Sequence, residues 1–360
     1  MKSRQRVIAA IEHHQPDRVP LDGDFRPEVW RTLRAHFETD DDEEVLRRLG
    51  IDLRRVTLEP GEAFKVLAEP APVDIPSLGC GQQNWAKPLP GGLFEDEWGV
   101  RRRIGATGMY WHYVYHPLAD TEDVDALPFP DVSDPTRYEA AGNEISRFRN
   151  DYIVLAEMAN FFKSSWELRG WKRYLMDLHL NPSFVERLLD RLYPWKAEEA
   201  RRLVEMGVDI IRLAGDVAMQ DRMIISPDIW RRYFKPRLQD LIAETRRVGP
   251  VYFMFHSDGD MMPIMGDVVE IGFDLVDPVQ PECMDPAAVK RSYGEQITLH
   301  GTLSSQRTLP FGSVTDVRRE VRERFESCAQ DGGFILAPSN MVQPDVPLPN
   351  LLTVYETAQA

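Results

Sequence analysis

Short apolar runs recur along this chain, separated by helical patterns, and that alternation constrains the fold more than any other feature. The runs are Arg18-Val-Pro-Leu-Asp22, Leu53 to Leu58, Tyr152 to Ala156, Asp209 to Leu213, Val251 to Phe255, Phe273 to Val276, Ile297 to Leu299 and Phe334 to Leu336. The second is the weakest. Between them, Pro182 to Met206, Pro227 to Val248, Met262 to Ile271 and Val314 to Ala329 repeat their apolar residues with the helical period. Gly207-Val-Asp209 and Gly272-Phe-Asp274 stop a helix just ahead of a strand. Strands that alternate with helices pair in parallel, and eight of them predict an α/β fold of the distorted (β/α)8 TIM-barrel type. An open doubly wound sheet is the competing arrangement, but no Gly-x-Gly-x-x-Gly follows any strand.

Residues 60–135 break the alternation. They are rich in Pro, Gly and Trp and include the extended stretch Tyr110-Trp-His-Tyr-Val-Tyr-His-Pro117. The expectation is an insertion after the second strand that covers one end of the barrel. No long acidic or Gly/Ser linker interrupts it, so residues 1–360 are read as one domain with this excursion.

With 43% hydrophobic, 28% charged and 10% aromatic residues among 360, the composition is that of a globular protein with a sizeable core. The net charge of −15 repels a phosphate backbone, and Arg101-Arg102-Arg103 and Arg231-Arg232 are short enough to be solvated faces. Nucleic-acid binding is excluded on that ground. Cys80, Cys283 and Cys328 are odd in number and far apart, with no Cys-x-x-Cys, which leaves a disulfide framework unsupported. The opening MKSRQRVIAAIEHHQPDRVP interrupts its apolar run with Glu12, His13 and His14. Neither a signal peptide nor a membrane span is expected, and the cytoplasm is the expected compartment.

A barrel of this type assembles its site at the carboxyl ends of its strands. Those positions carry Asp22-Gly-Asp24-Phe-Arg26, Glu157, Asp216 with Gln220, His256-Ser-Asp258-Gly259, Asp277-Pro-Val-Gln280, His300-Gly301 and Ser339-Asn340. Burying such groups costs several kcal/mol each unless they are paired, so their concentration points to an enzyme. His256 and Asp258 stand at i and i+2 of an extended strand end and point the same way. They could ligate a metal with Glu157 as third partner, form an acid/base dyad in which Asp258 orients His256, or be a buried histidine satisfied by backbone groups. His300 could be functional or simply bond a neighbouring loop, and Asp22, Asp24 and Asp216 could cap turns. Cys283 is expected to be a plain loop cysteine rather than a ligand or nucleophile. His112 and His116 sit among aromatics that either pack or line a pocket.

Taken in order, several segments are similar to the uroporphyrinogen decarboxylase superfamily over nearly the whole chain. They are Arg4-Gln-Arg-Val7 through Pro16-Asp-Arg-Val-Pro20, Asp96-Glu-Trp-Gly99, Leu168-Arg-Gly170, Asp216 with Gln220 and Ser226-Pro227, and Phe255-His-Ser-Asp-Gly259. Leu309-Pro-Phe-Gly312, Gly332-Gly333-Phe-Ile-Leu-Ala-Pro338, and Val346-Pro347 with Asn350 complete the set. The resemblance implies a distorted (β/α)8 barrel and two functional branches. The decarboxylases grip porphyrinogen acids with an Arg-Gln-Ala-Gly-Arg-type loop. Here that loop reads Asp22-Gly-Asp-Phe-Arg26, whose two carboxylates repel a polyanion. The other branch comprises methyltransferases that work with corrinoid proteins, some of which bind zinc through a His-x-Cys pair and a later Cys. Those positions correspond here to His256, Asp258 and approximately Ser339, with both thiols replaced.

The resemblance therefore implies a corrinoid-linked methyltransferase that demethylates a small donor at a site of Glu157, His256 and Asp258. That set would hold a divalent metal such as zinc or act as a metal-free acid/base group. Asp22, Asp24, Arg26, Asp216, Gln220, Gln280, His300, Ser339 and Asn340 are the expected substrate-binding residues. The corrinoid is expected to come on a partner protein or free, and a homodimer is implied by resemblance alone. The alternatives are a cofactor-independent decarboxylase of uroporphyrinogen-like or smaller acids, with Asp22 or Asp24 stabilising a protonated intermediate, and a non-catalytic ligand-binding protein.

Overall fold

A computed structural model describes residues 1–70, 85–106 and 111–360; Cys80 and Tyr110 lie outside them. Seven parallel strands form one curled sheet in the order β1 (Leu53–Val56), β2 (Ile153–Ala159), β3 (Ile210–Ala214), β4 (Tyr252–His256), β5 (Leu275–Asp277), β6 (Thr298–His300) and β7 (Phe334–Ile335). Each strand pairs with the next in sequence, and helices such as Pro182–Met206 and Val314–Cys328 form the crossovers. This is the α/β barrel that the alternation predicts.

The first expected strand, Arg18 to Asp22, is reduced to a single parallel bridge between Leu21 and Leu336. Pro20 has no N–H to give a ladder, so this segment pairs only where a donor exists. The Asp22 N–H donates to Leu336 O (2.9 Å) and the Asp52 N–H to Leu21 O (2.8 Å), which joins β7 to β1 through this segment. The expected helix from Pro227 to Val248 is likewise two helices, Pro227–Tyr233 and Lys235–Arg246. Pro236 lacks the N–H that a continuous helix would use, and it is tolerated only in the first turn of the second one.

Strand side chains alternate between two cores. Val154, Ala156, Ile211, Leu213, Phe253 and Phe255 face outward into the helices. Leu53, Ile153, Leu155, Ile210, Met254, Leu275 and Ile335 face the barrel axis, where Val7 and Ile11 of helix Ser3–Ile11 plug the amino-terminal end. Two residues further along β1 to β6 the axis-facing position comes round again, and the side chains there are Arg55, Glu157, Arg212, His256, Asp277 and His300, while β7 is followed by Ala337 at that level. The apolar plug is thus topped by a charged layer.

The excursion contains a five-stranded antiparallel sheet, Glu69–Pro70, Trp85–Leu89, Leu93–Glu95, Arg101–Ile104 and Trp111–Tyr115. It is tied to helix Phe161–Arg169, which follows β2. Tyr113 Oη donates to Glu167 (2.7 Å), His116 Nδ1 lies 2.6 Å from Glu167 O, and the Leu118 N–H donates to Leu168 O (2.9 Å). Arg102 is buried against Asp96 (2.6 Å), so the sheet has its own anchored ion pair. No helix among the described residues is long and apolar enough to cross a membrane.

Asp52 holds the barrel seam at its amino-terminal end. Its buried carboxylate accepts from Arg6 (2.7 Å), Arg18 (2.8 Å) and the Leu21 N–H (3.0 Å). Asp52→Ala leaves those donors without their acceptor and is expected to cost about 3 kcal/mol of unfolding free energy in urea titration. A loss under about 1 kcal/mol would show that the seam does not depend on this carboxylate.

Candidate active site

The charged layer is held together by direct pairing. Asp277 accepts from His256 Nδ1 on Oδ2 (2.7 Å) and from His300 Nδ1 on Oδ1 (2.6 Å). His300 Nε2 lies 3.0 Å from Asp22 Oδ2, and Arg55 donates to both oxygens of Asp22 (2.9 and 2.6 Å). Arg212 lies between Glu157 (3.1 Å) and Asp277 (3.4 Å). Gly301 makes room for this packing, since a Cβ there would stand 2.9 Å from Asp277 Oδ1, and its φ of +67° suits glycine.

The electrostatics follow from those contacts. Burial opposes ionisation of Asp277, but Arg212 and the two imidazoles hold its carboxyl well below the usual range. Burial likewise works against a charged His300, yet a carboxylate on each ring nitrogen pushes it up to about 9. His256 is desolvated and faces Arg212, both of which lower it, and the Asp277 hydrogen bond still raises it above its ordinary value. Burial lifts Asp258 to about 6, reinforced by Asp216 and Asp277 and opposed by His256.

Asp216, His256 and Asp258 converge, with one donor atom from each lying within 4.8 Å of the others. With Nδ1 bonded to Asp277, His256 directs Nε2 toward Asp216, 3.9 Å away. The Asp258 N–H donates to Asp216 Oδ1 (2.9 Å), and Asn340 Nδ2 donates to Asp258 Oδ2 (2.7 Å). The other oxygen of Asp258 is buried without a hydrogen-bond partner among the described residues. An imidazole oriented by a carboxylate, two aligned carboxylates and an unsatisfied buried oxygen fit a divalent cation. A cavity of about 400 Å³ opens beside the cluster, lined by Asp24, Arg55, Glu157, Arg212, His256 and His300 among others.

The family description of uroporphyrinogen decarboxylase (URO-D) matches residues 112–360. The chain belongs to the URO-D family. A methylcobamide:CoM methyltransferase MtaA from Methanosarcina barkeri is 32% identical over 153 residues, and one from strain Fusaro is 30% identical over the same length. Each match spans 42% of this chain and 42% of the relative, so less than half of those proteins is compared. A methyltransferase from Methanosarcina mazei superposes with a TM-score of 0.71 at 20% identity, covering 100% of this chain and 98% of that one. That agreement shows that the two chains share one barrel fold.

Several expectations for the URO-D site are rearranged. Glu157 is drawn to Arg212 and stands outside the cluster of potential ligands, where Asp216 joins His256 and Asp258 instead. Asp258 does not orient His256, because Asp277 occupies Nδ1 and Asn340 holds Asp258. Asp22 and His300 lie in the hydrogen-bonded layer, and Asp24 lines the cavity within 4.0 Å of Arg55. Arg26 is buried near Glu28 (3.9 Å) at the start of helix Pro27–Phe37 and does not line that cavity. Gln280 accepts from the Gly259 N–H (3.2 Å), Gln220 bonds Gln306 (2.8 Å), and Ser339 bonds Ser305 (3.1 Å).

Cys283 is half-buried, and burial beside Glu282 pushes its thiol up to about 11, which suits a loop cysteine and not a thiolate. His116 is fixed by Glu167 O and stacks on Tyr113, whereas His112 is exposed on its strand. Arg55, Arg212 and the pairing role of Asp277 escape a reading of strand ends alone. Their signal is a charged residue at the axis-facing position of an otherwise apolar strand, as in Ile210-Ile-Arg-Leu-Ala214.

His300 yields a signed pH dependence. Its folded value near 9 exceeds the unfolded 6.5, so its contribution to stability is complete below pH 6.5 and fades as pH rises through 9. The gap in unfolding free energy between wild type and His300→Gln is therefore expected to narrow from pH 6.5 to 9.5. A gap that stays constant over that range would show that His300 is not the protonated partner of Asp277.

Proposed function

We propose that this chain is a methyltransferase that moves a methyl group from a small heteroatom donor to a corrinoid, and that Asp216, His256 and Asp258 hold a divalent cation. The convergence of those three side chains, with Asp277 fixing the imidazole, is the observation that carries the proposal. The partial likeness to methylcobamide:CoM methyltransferases supports the corrinoid side of it. One nitrogen and two oxygen donors suit zinc or a harder divalent ion. When bound, such an ion supplies Lewis-acid polarisation of the heteroatom that carries the methyl.

The chain's own residues define the rest. Asp277 keeps a proton on His256 Nδ1 and leaves Nε2 to the cluster. Asn340 and the Asp258 N–H hold the two carboxylates in place. Arg55 and Arg212, each paired with acids, form a fixed wall of the cavity in which the donor would sit. The corrinoid would arrive on a partner protein or free.

A second reading is favoured by the raised value of His256, which as an imidazolium held by Asp277 would deliver a proton to the leaving heteroatom without a metal. Decarboxylation assisted by Asp22 has less support, since Arg55 and His300 already engage both of its oxygens.

Metal content of the untagged protein separates these readings. About one divalent ion per chain is expected by elemental analysis, lost in His256→Ala and bound roughly 10- to 100-fold more weakly in Asp277→Asn. A wild-type protein that stays metal-free after reconstitution overturns the cation reading and leaves the His256 proton donor.

A further inference from the structure

A second chamber adjoins the cluster on the far side of the 339–341 loop. It encloses about 260 Å³, and apart from Asp258 and Met341 its lining is uncharged and hydrogen-bonding: Gln280, Ser305, Gln306, Ser339, Asn340 and Gln343. Ser339, Asn340 and Met341 also line the central cavity, so the two spaces share a wall.

The amides of this chamber are only half used. Gln280 is 6% exposed and spends its Oε1 on the Gly259 N–H, so its NH2 has no partner among the described residues. Gln306 accepts from Gln220 through Oε1, which leaves its NH2, and Gln343 donates to Met341 O (3.1 Å), which leaves its carbonyl oxygen. Amide groups that open onto such a chamber hydrogen-bond to water there, and a ligand with matching donors and acceptors can replace that water. Two free NH2 groups and one free carbonyl match the carbonyl and NH2 of a primary carboxamide. A carboxylate ligand would instead face Asp258, and a cation would meet amide donors.

We infer that this chamber receives carboxamide arms of the corrinoid. The inference rests on the methyl-transfer reading above. A corrin carries carboxamides around a broad ring, so one arm can enter the side chamber while the ring lies over the mouth of the barrel, next to the cluster.

The test is titration of the full-length protein with two corrinoids in the same aqueous methanol, followed by absorbance and calorimetry. Dicyanocobinamide presents carboxamides, and dicyanocobyrinic heptamethyl ester presents the same ring with esters and no N–H at those positions. Wild type is expected to bind the carboxamide corrinoid at least about tenfold more tightly than the ester. Gln343→Leu, at a half-buried position whose free carbonyl only an N–H can use, should weaken carboxamide binding roughly five- to tenfold while leaving the melting temperature and the affinity for the ester unchanged, whereas Gln306→Leu, at an exposed position whose NH2 serves a carboxamide or an ester carbonyl, should weaken both by that factor. Equal affinity for the two corrinoids, or variants indistinguishable from wild type, overturns the assignment. So does a wild type that binds neither. If methyl transfer from a small donor to cob(I)alamin is nonetheless observed, the methyl-transfer reading survives the loss of the chamber. If neither transfer nor corrinoid binding occurs, both fall.

Discussion

Asp277 is the contact on which the mouth of the barrel depends. It takes one imidazole on each oxygen and lies beside Arg212, so three side chains from β3, β4 and β6 meet at a single carboxylate of β5. Ionisable groups buried this far are tolerated only when each finds an opposite charge or a hydrogen-bond partner. The pairing continues through His300 and Asp22 to Arg55 on β1, and from Arg212 to Glu157 on β2. The interior of the barrel therefore changes character over one side-chain repeat, from an aliphatic plug to a ring of fixed charges, without leaving those charges uncompensated.

That ring sets directions as well as charge. A histidine with a carboxylate on Nδ1 has one nitrogen left, and the strand end determines where it points. For His256 it points at Asp216 and Asp258. For His300 both nitrogens are consumed, by Asp277 and Asp22, so this imidazole is a structural cation and not a ligand. Two histidines that look equivalent at the ends of neighbouring strands thus do different work because of what lies on the second nitrogen.

The barrel was legible in the sequence because parallel strands and amphipathic helices leave separate periodicities, and the strand-end positions followed from the architecture. What escaped was pairing. Nothing local to Glu157 shows that Arg212, 55 residues later, lies one strand over and captures it. Nothing within His256-Ser-Asp258 shows that the imidazole is oriented by Asp277 from the next strand. Asp216 had a capping role available in the sequence, and only the folded chain brings it to His256. The shortening of the first strand to one bridge was available in principle, since Pro20 removes a donor from a five-residue run. The arginines at 55 and 212 were visible as charges inside apolar strands, but their meaning depends on knowing which face looks down the axis.

Charge balance gives the cluster a further physical basis. At neutral pH the carboxylates of Asp22, Asp24, Glu157, Asp216, Asp258 and Asp277 crowd the mouth, opposed by the guanidiniums of Arg55 and Arg212, by a protonated His300 and by Lys163, which lines an adjoining pocket with Glu157, Asp216 and His256. The arginines and His300 serve the Asp22, Glu157 and Asp277 side of the layer. Asp216 and Asp258 are left facing each other across His256, and Asp258, lifted to about 6 chiefly by burial, is raised further by the neighbouring carboxylates of Asp216 and Asp277. A divalent cation offsets two carboxylates at once, whereas a protonated His256 offsets one. The one nitrogen and two oxygen donors of Asp216, His256 and Asp258 thus suit the proposed cation on electrostatic grounds as well as by position.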